Sequence, residues 1–241
     1  MADTEIRDAD SKMWTARLRN GFFGTYPPEK LLPDRQPAYV ASWIYVFGVA
    51  TIAGFAVLVV TGLALTFEGP TWYHHSSFGH FVNSIHYWAV QLFMLTMVVH
   101  LWGKFWMAAW RGKRWLTWIT GVVSFMTSIG VAFTGYLVQT NFDSQWIAFE
   151  AKDGLNSAGI GAWFNVTNLG QVLLIHVALL PVVLGVIIVW HVLLVRKHGV
   201  VPPLPLKDGT TSDATATDAT RTDAAAPVAS EPANETTEVT A

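Results

Sequence analysis

Four long stretches of this chain hold no Asp, Glu, Lys or Arg: residues 36–67, 69–103, 115–142 and 154–195. Each exceeds the ~20 residues that cross a bilayer. Their apolar cores are 44–67, 81–101, 116–138 and 172–195, and hydrocarbon cannot satisfy a peptide group, so each is expected to be a helix. The charged fraction is 13%, against roughly 25% in soluble domains, while hydrophobic residues make up 52%. The fold expected is an all-α membrane protein, a bundle of four transmembrane helices.

Orientation follows from the cations, which short cytoplasmic loops retain. Arg7, Lys12, Arg17, Arg19, Lys30 and Arg35 precede the first span, Lys104, Arg111, Lys113 and Arg114 separate the second from the third, and Arg196, Lys197, Lys207 and Arg221 follow the fourth. Lys152 alone falls on the other side. Both termini are thus expected in the cytoplasm, with the chain multi-pass in a plasma membrane, a prokaryotic setting. The segment 1–36 is polar, has no signal-peptide core, and is expected to lie on the cytoplasmic side. Within it, residues 10–23 mix Met13, Trp14, Leu18 and Phe22 with cations, a pattern suited to an amphipathic surface helix or to a solvated leader. Residues 37–206 form the membrane domain. The segment 207–241, rich in Ala and Thr, buries too little to offset its ordering entropy and is expected to be a disordered cytoplasmic tail. A net charge of −2 without basic runs excludes a nucleic-acid partner.

Four histidines fall inside the spans: His86 and His100 in the second, His176 and His191 in the fourth. Ionisable groups at that depth are costly and mark function. Fourteen residues of α-helix stop about 40° short of whole turns and fifteen overshoot by about 60°, so each pair shares a face, about 21 to 22.5 Å apart. One metal ion cannot bind both members of a pair, and ligation must run between helices. His86 is then level with His176 near the outer face, and His100 with His191 near the inner. Gly48 and Gly62 in the first span and Gly121 and Gly135 in the third repeat the spacing of 14, and glycine leaves room for a flat macrocycle. Two stacked b-type haems are expected, with the four histidines as metal ligands. The chain contains no cysteine, so thioether attachment and thiolate ligation are excluded.

These features resemble the N-terminal haem domain of the cytochrome b family, most closely its split b6 form. The resemblance rests on the two histidine spacings, on 116–121 (Leu-Thr-Trp-Ile-Thr-Gly), Thr134-Gly135-Tyr136, Pro181 five residues after His176, and Arg196-Lys197 after His191. It implies a low-potential outer haem on His86 and His176, a high-potential inner haem on His100 and His191, Arg196 beside the inner cofactor, and quinone as substrate. The partners it implies are membrane lipid, a C-terminal cytochrome b polypeptide like subunit IV, and a Rieske iron–sulfur protein or other redox subunit. A homodimer of the complex is also compatible. The chain departs from the family pattern at Asn83 and Gln171, where outer arginines are usual, and at 137–142, which lacks the Ser-Leu-Pro-Trp-Asp-Gln run. No catalytic residue is assigned.

The function expected is that of a dihaem subunit moving electrons between quinone sites across the membrane in a cytochrome bc-like quinol oxidoreductase, inactive alone. Moving an electron inward opposes a field worth about 2.3 kcal/mol per charge per 100 mV, which calls for a higher potential at the inner haem. Two alternatives stand beside it: a haem b quinol-oxidising anchor for a different redox enzyme, and a haem-free transporter with a histidine proton relay. Asp143 and Glu150 read as solvated loop charges ahead of acceptors for quinol protons, His74, His75 and His80 as surface histidines, and Lys197 and His198 as markers of the positive-inside boundary ahead of hydrogen-bond partners for a quinone. The tryptophans around the second and third spans read as interfacial anchors.

Overall fold

The computed structural model describes residues 13–33, 35 and 37–203. The tail, the first part of the N-terminal segment and residue 207 lie outside them. Six longer helices organise the described chain: α1 Trp14–Thr25, α2 Val46–Glu68, α3 Ser77–Trp106, α4 Trp115–Leu137, α5 Phe142–Ser157 and α6 Leu169–His198, with single helical turns at Pro28–Leu31 and Trp72–His75. Short turns at Ala38–Ala41, Trp43–Tyr45 and Gly112–Arg114 lead into α2 and α4. Four helices are long and apolar enough to cross a membrane, counting the turns before α2 and α4: Trp43–Glu68, Ser77–Trp106, Gly112–Leu137 and Leu169–His198. The expected four-helix, all-α membrane fold is the observed one, with spans extended by a turn where Trp and cations line the ends.

Local chemistry sets the boundaries. Gly69 ends α2 at φ 91°, a conformation that favours glycine. The Ser76 hydroxyl caps α3 by accepting from the Gly79 amide at 3.1 Å, and Asn168 caps α6 through the Gln171 amide at 3.1 Å. Gly199, at φ 75°, ends α6.

The helices run up and down. Ile44 meets Gly103, so α2 starts where α3 ends, while Arg114 donates to the His198 carbonyl at 3.4 Å, so α4 starts where α6 ends. Lys104, Arg111, Lys113, Arg114, Arg196 and Lys197 gather at that end, called here the basic end. Mid-bundle, Phe93, Met97 and Leu184 form a buried layer with Phe55, Leu58, Phe125 and Ile188. Val49, Val60, Trp88, Leu92, Val182 and Val186 are exposed, as a lipid-facing surface requires. Inside, Thr120, Ser124 and Ser128 are buried along one face of α4; the serines donate to carbonyls four residues back, and Thr120 donates to the Thr117 carbonyl. Their small side chains let helices approach closely.

Two features were not expected. The connection between the third and fourth spans, away from the basic end, holds α5, capped by Asn141 through the Ser144 amide at 2.8 Å; Asp143 and Glu150 lie on this helix and are exposed. Its Ala148 joins Leu137, Val166 and Val172 in a second buried cluster. In addition, α6 changes register: Ile175–Leu179 is a π-turn, closed by the Leu180 amide on the Ile175 carbonyl. Such a turn holds one residue more than an α-turn. It abuts Pro181, whose missing N–H already removes one rung of the ladder. The spacing of fifteen in α6 thereby acts as fourteen, and both histidine pairs keep the same period. α1 begins at Trp14 and runs two residues beyond the expected end, with Trp14, Leu18, Phe22 and Phe23 exposed.

Candidate functional site

The four histidines each face one of the four periodic glycines across a helix pair. A Cβ placed on Gly48 would stand 3.0 Å from His100 Cε1, on Gly62 3.3 Å from His86, on Gly121 3.1 Å from His191 and on Gly135 2.5 Å from His176. All four contacts are tighter than most side chains show, and at Gly135 alanine would force the ring to shift. The sequence suggested that these glycines clear a macrocycle; in the structure they also seat the imidazole edge, which orients the ring. Gly54 and Gly130 face Phe93 and Leu180 instead, as packing glycines do.

Hydroxyl groups fix the protons of three rings. His86 Nδ1 lies 2.8 Å from Thr61 Oγ1, His191 Nδ1 3.0 Å from Thr120 Oγ1 and His176 Nδ1 3.2 Å from Thr134 Oγ1. Each hydroxyl already donates to its own helix, to Val57 at 2.7 Å, Thr117 at 2.9 Å and Gly130 at 2.9 Å. The threonine oxygen therefore accepts and the imidazole donates, so the proton sits on Nδ1 and Nε2 keeps its lone pair for a metal. His176 Nδ1 also meets the Val131 carbonyl at 3.1 Å. The fourth ring differs: His100 Nδ1 is buried without a hydrogen-bond partner. An unsatisfied buried donor or acceptor costs about 1–3 kcal/mol.

The rings also meet level by level. His86 and His176 line one cavity of about 370 Å³ with Gly62, Gly135, Asn83, Tyr87, Gln139 and Pro181, in the range of small-molecule sites. His100 and His191 lie toward the basic end, where Gly48 and Gly121 seat them. Among the described residues no group of three or more His, Cys, Asp or Glu could hold a metal ion. Two imidazoles per level, flanked by glycines, suit an iron that brings its equatorial nitrogens in a porphyrin.

The remaining candidates fall as follows. Arg196 is half-buried in the last turn of α6. His198 Nδ1 lies 3.3 Å from Thr117 Oγ1 and its carbonyl accepts from Arg114, so it ties α6 to α4. Lys197 is exposed. Asn83 lines the cavity, whereas Gln171 turns to the preceding loop, accepting from the Asn165 amide at 2.8 Å and donating to the Trp163 carbonyl at 3.0 Å. At 137–142, Tyr73 Oη donates to the Gln139 carbonyl, and burial raises the Tyr73 pKa from its ordinary 10.0. His74, His75 and His80 are exposed. Thr61, Thr120 and Thr134 had no assigned role in the sequence reading; a threonine directly before three of the four glycines was the signal.

A membrane-spanning bundle with paired histidines facing paired glycines defines a class of b-type haem proteins. The chain belongs to the family described as cytochrome b (N-terminal)/b6/petB, whose pattern matches residues 91–224, more than half its length. It is a multi-pass membrane protein of a family that binds haem b and serves electron transport in quinol oxidoreductases. It is 27% identical over 190 residues to cytochrome b6 of Heliobacterium mobile, covering 70% of this chain and 89% of that protein. It is 26% identical over 203 residues to the menaquinol:cytochrome c reductase cytochrome b subunit of Geobacillus thermodenitrificans, covering 73% and 88%. A chain of a hyperthermophilic respiratory Complex III has the same fold, with TM-score 0.58 at 21% identity; the match covers 81% of this chain and 55% of that one.

Proposed function

We propose that the chain is a dihaem subunit that carries electrons across the membrane in a cytochrome bc-like complex. His86 and His176 would hold one non-covalent haem b near the outer face, His100 and His191 the second near the cytoplasmic face, with both termini cytoplasmic in a plasma membrane. The observation that carries this reading is the coincidence of four Gly–His contacts with three hydroxyl-held Nδ1 protons. Bound there, haem supplies one-electron chemistry between its two iron states.

The protein's part is positional. Thr61, Thr120 and Thr134 hold protons at Nδ1 and leave Nε2 free to bind a metal. Phe93, Met97 and Leu184 fill the middle layer and exclude water from the space between the levels. Asn83 and Gln139 offer neutral amides at the outer level, where the cavity lining contains neither carboxylate nor Lys or Arg. The similarity to a subunit of a menaquinol:cytochrome c reductase supports a chain that works with partners, here read as a C-terminal cytochrome b polypeptide and a Rieske protein as electron acceptor.

The expected outcome of expressing the chain alone is haem binding without quinol oxidation, measured as quinol-driven reduction of an external acceptor by the purified protein. Robust turnover by the single chain would contradict it. A second reading, an anchor for another redox enzyme, draws on Gln171, which is engaged by the loop, and on the uncharged cavity. Co-purification separates the two by returning either a Rieske protein or a different catalytic subunit.

A further inference from the structure

The four ligand positions follow one local rule with one exception. Gly62, Gly121 and Gly135 are each preceded by threonine, and each threonine oxygen accepts from the histidine that the glycine seats. Gly48 is preceded by Phe47, and the histidine it seats, His100, has no acceptor at Nδ1. The backbone does not compensate. At His176 a second acceptor is the carbonyl of Val131, four residues before the glycine. The equivalent position before Gly48 is Ile44, which lies in the 3₁₀ turn Trp43–Tyr45 that precedes α2, with its side chain against Gly103. Phe47 itself packs edge-on against Trp43, with ring centroids 5.8 Å apart.

An acceptor at Nδ1 draws that proton away and raises the donor strength of Nε2 toward a metal. Such a ligand favours the more positive iron state and lowers the reduction potential. A ring without an acceptor does the opposite. The level of His86 and His176 has acceptors on both rings, and the level of His100 and His191 on one. We propose that Phe47 sets the redox asymmetry of the two levels: by withholding an acceptor from His100, it makes the haem at the basic end the easier one to reduce. The inference rests on the dihaem reading above. Lys104, one turn beyond His100 with its ammonium 3.8 Å over the Tyr45 ring, acts in the same direction, since a nearby cation disfavours the more positive iron.

The test is a spectroscopic redox titration of the haem-loaded full chain and of three variants. Phe47→Thr, which restores the rule, is expected to lower the potential of the basic-end haem. The shift should reach up to about tenfold in the reduced-to-oxidised ratio, about 59 mV for a one-electron couple, with the other haem unmoved. Thr120→Val should raise the same component, and Thr61→Val should raise the other. If the component altered by Thr120→Val stays in place in Phe47→Thr, or moves upward, the proposal is overturned. Should Phe47→Thr fail to retain haem, Thr120→Val decides: no upward shift of the basic-end component overturns the proposal. A wild-type chain that titrates as a single haem would instead overturn the dihaem reading itself.

Discussion

His86→Ala and His176→Ala are each expected to remove one and the same haem, while His100→Ala and His191→Ala remove the other. The expectation follows from depth rather than from sequence proximity. His86 and His176 share a cavity near the ends of α2 and α4, and His100 and His191 lie toward their starts, where Gly48 and Gly121 seat them. About 21 Å of helix separates the two histidines of α3, so neither can substitute for the other. Because the four glycine contacts involve different turns, loss of one level should leave the second intact. Reduced-minus-oxidised spectra of the four variants provide the check, with half the haem remaining in each and two distinguishable remainders. A common spectral loss from His86→Ala and His100→Ala would contradict the layered arrangement.

The second large effect concerns chain register. Deleting Ala178, inside the π-turn, should convert that turn to an ordinary α-turn, reduce the spacing of His176 and His191 to fourteen, and leave both rings facing their glycines. Deleting Val186, in the regular α-helical part of α6, should turn His191 by about 100° relative to His176 and abolish the basic-end haem. Both deletions remove one residue from the same helix, so general damage to the span does not predict a difference. Haem content per chain measures it: two haems after the first deletion, one after the second. Loss of haem in the Ala178 deletion would show that the wide turn has another purpose than absorbing a residue.

Those two expectations mark where the sequence was and was not legible. Uncharged runs, the depth of His86, His100, His176 and His191, and the repeat of Gly48, Gly62, Gly121 and Gly135 are properties of linear spacing and survive without coordinates. The π-turn is not such a property: an ideal helix puts fifteen residues about 60° past whole turns, and nothing in Ile175–Leu179 announces that backbone pairing widens there. Pro181 was visible, but only as a missing donor. α5 was read as loop because it is an exposed helix with an ordinary mix of polar and apolar residues, and its start is marked by little beyond Asn141. Gln171 was legible as a departure from a family pattern, while its engagement with Trp163 and Asn165 required the loop to be placed. The threonines were hidden for a different reason: their role depends on a ring in another helix, 25 residues away for Thr61 and His86, and 71 for Thr120 and His191.

All of this stands on two bis-histidine levels, and the most direct test is a pyridine haemochrome spectrum of the purified full chain with independent protein quantitation. The account predicts two b-type haems per chain, both extracted by acid acetone because no cysteine is present to bind them covalently. A stoichiometry near zero, or haem that survives extraction, would contradict it.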